Sequence, residues 1–191
     1  MSKIILASAS PQRRQLLEQL GVPFSVIPST VDEQQCACLD PRERAQMLAR
    51  LKAQDVALSN PAAHVIGCDT LVVAPDGSLL EKPHNAAQAR TMLVAQSGGV
   101  SQVHSAISLL DAGGKLHEAV STSRVHFRPL STADLDWWVS LGLWEGRSGA
   151  FQIDGPGQLL IDHLEGDWSG VVGLPIALLG HLLRQAEIPF L

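Results

Sequence analysis

The sequence predicts a globular domain in which strands and helices alternate around a central sheet, and three observations support this fold class. Hydrophobic residues make up 46% of the 191 positions and charged residues 17%, a balance typical of a folded domain with a sizeable core. Short apolar runs repeatedly lead into segments that carry helix-start signals. Two pairs of strand-like segments are joined by residues that favour turns, which is the pattern of β-hairpins.

The overall charge excludes some classes of partner. The chain has 14 basic and 19 acidic residues, which gives a net charge of -5. Broad binding to nucleic acid or to a membrane surface requires a basic face, so we expect neither partner, whereas a small anion in a local basic pocket is compatible. No apolar run approaches the ~20 residues of a membrane span. The first apolar run is also too short for a signal peptide, and we therefore expect a cytoplasmic protein.

The first predicted elements are a strand, a serine-rich turn and a helix. Residues 4–7 are apolar and predict a short buried strand. Ser10 stands at the position of a helix N-cap, and Pro11 occupies the first helical position, where its missing N–H costs nothing. The free N–H groups of this helix start, with the side chains of Ser8, Ser10 and either Arg13 or Arg14, supply the chemistry of a phosphate cradle. The alternative is an ordinary capped helix whose arginines face solvent.

Two segments after this helix carry charged residues in informative positions. Asp32 and Glu33 follow a predicted strand over residues 24–27. They form either a solvated loop or a magnesium ligand, since hard cations prefer carboxylate oxygens near phosphates. An Asp-Pro start then predicts a helix from residue 41 to about residue 58. Lys52 lies on the apolar face of that helix, where it either reaches out to water or contacts a ligand.

Asp69 lies in the middle of an apolar run, residues 65–73, that predicts a strand. A carboxylate in a buried strand is costly unless it is paired or bound to a metal. Such a position favours a general base or a metal ligand over the alternative, a residue that only caps a turn. Residues 75–77 (Pro-Asp-Gly) predict a hairpin turn, and the return strand is expected to end at Lys82 and its neighbours.

A glycine-rich segment, residues 146–157, presents Gln152 and Asp154. Its glycines either bring the backbone close to a ligand such as a nucleobase or form plain turns. The remaining predicted elements are a helix over 85–96, strands over 100–110 and 116–127, a helix from residue 131, a strand over 159–164 and a helix ending near residue 184.

Seven short motifs, in this order and spacing over the whole chain, resemble those of the Maf family. Each motif is short, but their joint occurrence is highly specific. They are Ser8-x-Ser10-Pro-x-Arg13, Val31-Asp-Glu33, Lys52-Ala, Gly67-x-Asp69-Thr70, Lys82-Pro83, Gly149-Ala-Phe and Val172-Gly-Leu-Pro175. The Maf family consists of nucleoside triphosphate pyrophosphatases related in fold to the inosine triphosphate pyrophosphatases, and its members are also linked to septum formation.

The resemblance implies an α/β fold with a long mixed sheet flanked by helices and two lobes around a cleft, like that of the inosine triphosphate pyrophosphatases. It implies one Maf-like domain over residues 1–191, made of two intimate lobes, and often a homodimer. The implied reaction is hydrolysis of a nucleoside triphosphate to the monophosphate and pyrophosphate. Its implied cofactor is a divalent metal cation, Mg²⁺ or Mn²⁺.

The resemblance also assigns residues of this chain, position by position. Asp69 is the implied general base for the attacking water, and Glu33 and Asp69 are the implied metal ligands. A convergent set of cations and a metal suits a reaction that must neutralise the charge of the phosphates. The implied substrate-binding residues are Ser8, Ser10, Arg13, Lys52, Thr70, Lys82, Gln152 and Asp154.

The motifs leave the nucleobase open, because they combine features of two branches of the family. Thr70 matches the branch that acts on dTTP and UTP, whereas Gln12 departs from it and Asp154 stands where that branch has Gln. Phe151 and Asp154 lean towards the branch that acts on 7-methyl-GTP. An ionised Asp only accepts hydrogen bonds, so it suits a donor-rich base edge such as that of guanine or cytosine. Gln152 is an alternative donor.

Two further functions are weighed against the enzyme. One is a nucleotide-binding regulator of septum formation in which hydrolysis is secondary. The intact set of Glu33, Lys52, Asp69 and Lys82 disfavours an inactive relative. The other is a nucleic-acid-binding domain, which the negative net charge disfavours.

Overall fold

The computed structural model describes residues 3–189 and builds them into seven strands and six helices. The strands are β1 (Ile4–Leu6), β2 (Phe24–Val26), β3 (His64–Val73), β4 (Leu79–Leu80), β5 (Val100–Leu110), β6 (Leu116–Phe127) and β7 (Ile161–Glu165). The helices are α1 (Pro11–Glu18), α2 (Pro41–Leu58), α3 (Ala86–Gln96), α4 (Thr132–Ser140), α5 (Trp168–Val172) and α6 (Ile176–Gln185). Short 3-10 turns lie at Glu33–Gln35, Ser148–Ala150 and Gly155–Leu160.

All seven strands form one mixed sheet, as predicted. The order of neighbouring strands is β2-β1-β3-β5-β6-β7, and β4 pairs with β3 beside this path. β1 runs parallel to both β2 and β3, whereas β4 is antiparallel to β3 and β7 is antiparallel to β6. The sheet is flanked by helices, which confirms the predicted α/β class.

Side-chain caps start four of the helices, at the positions that the sequence predicts. Ser10, Asp40, Asn85 and Ser131 each accept a hydrogen bond from the backbone N–H three residues further on. Each cap satisfies a helix N–H that has no partner within its own helix. These local rules explain why the starts of α1, α2, α3 and α4 follow directly from the sequence.

The structure differs from the predicted elements near two turns. The return strand β4 contains two residues and ends at Leu80, not at Lys82 as predicted. It begins at Leu79 because the turn after β3 is still closing at residue 78, where the Ser78 carbonyl accepts from Ala74 N. β7 begins at Ile161, since the preceding 3-10 turn, which has a proline as its second residue, includes residues 159 and 160. Helix α5 has five residues, too few to show a helical period in the sequence.

The described chain divides into two compact units. The first comprises residues 3–69, 105–121 and 173–189, and one of its core clusters is built around the buried Ile5, Ala53 and Val65. The second comprises residues 70–104 and 122–172. Its core cluster includes Leu93, Phe127, Leu135, Trp138 and Phe151. The single domain over residues 1–191 and its cleft stay predictions. Within residues 3–189 no helix has both the length and the apolar character needed to cross a membrane.

One glycine fixes how α2 packs on β3 in the first unit. A Cβ atom at Gly67 would lie 2.1 Å from the carbonyl oxygen of Ala49 and 2.7 Å from the backbone nitrogen of Ala53. No side chain fits in that space, so the backbones of the helix and the strand approach each other closely. This contact sets Lys52 of α2 beside Asp69 of β3.

Candidate active site

A buried ion cluster lies where α2 meets β3. Lys52 Nζ lies 2.5 Å from Asp69 Oδ1 and 2.7 Å from Glu33 Oε1. Lys52 and Asp69 are 8% and 4% exposed, whereas the side chain of Glu33 is about half exposed. The structure therefore brings together three residues that the sequence predicts for the site. It also shows that Lys52 does not reach out to water, because its ammonium group contacts both carboxylates.

Glu33 reaches this cluster from a short 3-10 turn. Asp32 starts the turn, and its Oδ1 accepts a hydrogen bond from Gln34 N at 3.1 Å. The two adjacent carboxylates therefore have different roles, because Asp32 caps the turn and Glu33 contacts Lys52. Glu33 is thus partly solvated, as in the loop alternative, but its carboxylate also contacts the buried Lys52.

One oxygen of Asp69 has no hydrogen-bond partner within residues 3–189. Oδ1 accepts from Lys52 Nζ, but Oδ2 is buried and unsatisfied. An unpaired buried carboxylate oxygen is costly, and its lone pairs are available to a water proton or a cation. This atom is suited to either role that the sequence predicts for Asp69, proton acceptor or metal ligand.

The carboxylates of Glu33 and Asp69 fit a hard divalent cation. Mg²⁺ is typically held by one or two carboxylates, with waters and substrate phosphates filling the other positions. Together with Lys52, the cluster carries two negative charges and one positive charge. The remaining negative charge and the unsatisfied Asp69 Oδ2 both favour a bound cation.

The predicted phosphate cradle is an internally bonded set of side chains at the start of α1. Arg13 Nη1 donates to Ser8 Oγ at 3.1 Å, and Arg13 Nε donates to the carbonyl oxygen of Gly173 at 2.9 Å. Ser10 Oγ accepts from Arg13 N at 3.4 Å and donates to Gln12 Oε1 at 3.1 Å. Arg13 is therefore held towards the strand end that carries Ser8, not extended into solvent.

Cys68 is a neighbour of this site that the sequence analysis does not single out. Its buried thiol lies next to Asp69 in β3, and burial raises its pKa to about 11 although Arg13 and Lys52 act to lower it. The side chain is therefore a protonated thiol near neutral pH, unsuited to act as a nucleophile or a metal ligand. The side chain is part of the buried core.

Four predicted substrate-binding residues belong to the second unit. Thr70 is half-buried in β3, and Lys82 is exposed after β4. Gln152 and Asp154 are half-buried, and Gln152 Nε2 donates to the backbone carbonyl of Asp154 at 3.1 Å. A Cβ atom at Gly157 would lie 1.9 Å from the carbonyl oxygen of Gln152, so this glycine is required for the turn that positions Gln152.

Arg147 is a neighbour of Asp154 that the sequence pattern does not reveal. Burial lowers the pKa of its guanidinium group, and the carboxylate of Asp154 acts in the opposite direction. An arginine remains charged in any case. Asp154 therefore has a cation in its surroundings, which weakens its repulsion of carbonyl oxygens on a ligand. The only sequence signal is a charged residue inside a glycine-rich segment.

Two buried side chains hold the backbone ahead of Gln152. Gln96 Nε2 donates to the carbonyl oxygen of Gly149 at 2.7 Å, and Trp138 Nε1 donates to that of Ala150 at 2.8 Å. Ala150 has a φ of 60°, an uncommon conformation for a residue with a side chain. These two hydrogen bonds keep the strained backbone in place.

The comparisons with known proteins agree over nearly the whole chain. The profile of the family described as Maf-like protein matches residues 3–186. A dTTP/UTP pyrophosphatase of Pyrococcus furiosus is 38% identical over 97% of this chain and 99% of that protein. A dTTP/UTP pyrophosphatase of Deinococcus radiodurans is 40% identical over 97% of this chain and 94% of that protein.

A solved structure supports the same fold. A HAM1 protein from Coxiella burnetii aligns with 97% of this chain and 100% of its own, with a TM-score of 0.54 and 14% sequence identity. At that identity the likeness concerns the fold alone. The family profile and the two relatives go further, because they match the sequence itself from end to end. This chain belongs to the Maf-like protein family.

Proposed function

We propose that this chain is a nucleoside triphosphate pyrophosphatase that acts on dTTP and UTP and releases pyrophosphate. The observation that carries the proposal is the buried Lys52 between Glu33 and Asp69, with Asp69 Oδ2 left unsatisfied. Two relatives at about 40% identity bear the name dTTP/UTP pyrophosphatase. The proposal combines the activity of these relatives with an ion cluster that suits this chemistry.

In the proposed reaction Asp69 is the general base. Its Oδ2 accepts a proton from a water molecule, whose oxygen forms a bond to the α-phosphorus of the substrate. The bond from that phosphorus to the oxygen bridging the α- and β-phosphates breaks, and pyrophosphate leaves. Lys52 holds Oδ1 of the same carboxylate, which fixes its orientation and leaves Oδ2 as the acceptor.

Charge neutralisation is the second requirement of the reaction. Glu33 and Asp69 are the proposed ligands of Mg²⁺ or Mn²⁺, which when bound supplies positive charge against the phosphate oxygens. Within the first unit, Ser8, Ser10 and Arg13 are the proposed contacts of the triphosphate at the start of α1. Lys52 and, in the second unit, Lys82 are the other proposed cations.

The proposed preference for dTTP and UTP assigns base recognition to the second unit. Thr70 matches the branch of the family with that preference, and the side-chain amide of Gln152 offers both a donor and an acceptor to a pyrimidine edge. Asp154 is the proposed neighbour of this contact, with Arg147 offsetting its charge. A preference for 7-methyl-GTP or CTP would instead mean that Asp154 reads the base directly.

The decisive experiment measures pyrophosphate release from dTTP, UTP, CTP, GTP and 7-methyl-GTP with Mg²⁺ or Mn²⁺. We expect turnover of dTTP and UTP that is lost on chelation. Asp69→Asn should lower kcat about 100-fold or more, the usual contribution of a general base. Glu33→Gln should raise the metal concentration needed for half-maximal rate.

Asp136→Asn is the matched control, because Asp136 is an exposed aspartate on α4. It should keep the rate of the parent protein. Parent rates in the folded Asp69→Asn protein would overturn the assignment of the base. Nucleotide binding without turnover of any nucleotide would favour the regulator of septum formation. A homodimer, a cytoplasmic location and the lack of nucleic-acid and membrane partners stay predictions.

A further inference from the structure

We propose that His126, His163 and Glu165 form a binding site for a transition-metal cation of the Zn²⁺ class. The three residues lie on β6 and β7, in the second unit, and one ligand atom from each lies within 4.8 Å of the others. None of them belongs to the proposed catalytic set. The inference is therefore independent of the proposed function, and either can fail without the other.

The sheet register places the three side chains on one face. His126 of β6 pairs directly with His163 of β7, and Arg124 pairs with Glu165. Residues two apart on a strand point to the same side of a sheet, so His163 and Glu165 share a face with His126 and Arg124. The two imidazole rings are stacked, with centroids 3.7 Å apart and planes inclined by 21°.

The ring nitrogens converge on one carboxylate oxygen. His126 Nε2 lies 3.0 Å from Glu165 Oε1, and His163 Nε2 lies 3.8 Å from the same atom. Ligands at about 2.1 Å from a tetrahedral Zn²⁺ are separated by roughly 3.4 Å, so these distances bracket the spacing that a shared cation requires. Because the stacked rings are nearly parallel, a shared cation requires one imidazole to reorient towards the other.

His126 Nε2 is the atom that most needs a partner. It is buried and makes no hydrogen bond within residues 3–189, and its nearest charged atom is Glu165 Oε1 at 3.0 Å. A buried imidazole nitrogen without a hydrogen bond is costly, and a cation placed between it and the carboxylate would satisfy both groups.

Two further charged side chains, Arg124 and Asp162, flank the cluster. The other oxygen, Oε2, faces Arg124 Nε at 3.6 Å, so the arginine does not occupy the side that the histidines face. Asp162 Oδ2 lies 3.5 Å from His163 Nδ1. A carboxylate on the far nitrogen of a metal-binding histidine orients the ring and raises its basicity.

The donor set indicates the class of metal. Two imidazoles and one carboxylate suit Zn²⁺, Co²⁺ or Ni²⁺, whereas Mg²⁺ prefers oxygen ligands alone. Three protein ligands also leave a position for water. Because β7 is an end strand of the sheet, a cation here would fasten that strand to β6.

The experiment titrates the chelator-treated protein with Zn²⁺ in an excess of Mg²⁺, by calorimetry and by thermal unfolding. We expect one Zn²⁺ per chain and a rise in Tm. His163→Ala and Glu165→Gln should each weaken binding at least tenfold and remove the rise in Tm. His84→Ala, at an exposed histidine of the same unit, should change neither.

Parent affinity and an unchanged rise in Tm in both site variants would overturn the proposal, because the zinc would then be bound elsewhere. Failure of the parent protein to bind Zn²⁺ in this titration would overturn it as well. Co²⁺ serves as a spectroscopic probe: its visible absorption should appear in the parent protein and be lost in His163→Ala.

Discussion

The role of Lys52 becomes clear only from its partners in the folded chain. Its spacing in the sequence places it on the apolar face of α2, and the structure buries its ammonium group against two carboxylates. Removing the ammonium would leave the carboxylate of Asp69 charged and uncompensated in the interior. An uncompensated buried charge is strongly destabilising.

At the residue scale we therefore predict that Lys52→Met destabilises the protein by about 3 kcal/mol, the usual cost of breaking a buried ion pair from one side. Urea unfolding of the parent and variant proteins measures the change. The double variant Lys52→Met/Asp69→Asn should recover much of the loss, because no buried charge is then left alone. Lys115→Met, at an exposed lysine, is the control.

Equal stability of Lys52→Met and the control would contradict this account, as would strictly additive losses in the double variant. The sequence identifies Glu33, Lys52 and Asp69 as candidates, but it does not state that they meet. Their contact depends on packing between segments 17 or more positions apart in the chain. Arg147 and Cys68 escape notice for the same reason, because their roles depend only on their surroundings.

At the scale of elements, the contact between α2 and β3 is the feature on which the ion cluster depends. Gly67 leaves room for the helix backbone, and a methyl group there would overlap with Ala49 and Ala53. Backbone atoms cannot rotate away as a side chain would, so the helix must shift as a whole.

We predict that Gly67→Ala costs about 2 kcal/mol of stability, in the range of overpacked cores. It should also lower pyrophosphate release, because a displaced α2 moves Lys52 away from Asp69. Gly113→Ala is the matched control, since the nearest atom to its added Cβ, a carboxylate oxygen of Asp111, lies 3.2 Å away, against 2.1 Å at Gly67. An unchanged melting curve and rate in Gly67→Ala would contradict the prediction.

Elements governed by local rules follow from the sequence, and elements governed by packing do not. The capped starts of α1 to α4 and the strands β5 and β6 lie where the sequence predicts them. The start of β7 and the short α5 are shaped by turns of a few residues, for which no periodicity exists. The order of strands depends on pairing such as that of β1 with β3, which lie about 60 residues apart.

At the scale of the whole molecule, three groups make stability depend on pH in the same direction. Burial lowers the pKa of His64 below 6.5, with Asp111 opposing. The pKa of Glu118 is lowered because hydrogen bonds from Arg50, Ser108 and Gln46 outweigh burial, which acts to raise it. Arg128 and Ser131 likewise lower the pKa of Asp134.

Each of these groups binds a proton more readily in the unfolded chain, so acid favours unfolding. We predict that Tm falls in two stages, from His64 as the pH drops below about 6.5 and from the carboxylates below about 4.5. His64→Asn keeps an acceptor for Ala112 N but does not titrate, and it should flatten the first stage alone. His84→Asn, at an exposed histidine, should leave both stages as they are, and an unchanged first stage in His64→Asn would contradict the prediction.

The order of the strands has a consequence for how copies of this chain behave at high concentration. A sheet grows between molecules through unpaired backbone groups on its outermost strands. Here one outermost strand, β2, offers three residues, and the other, β7, carries Asp162, His163 and Glu165 among its five. Because one edge strand is short and the other is charged, neither favours pairing with a strand of another molecule. We therefore expect little fibre-like aggregation. A homodimer, if the chain forms one, is therefore expected to use helices or loops and not a continuous sheet.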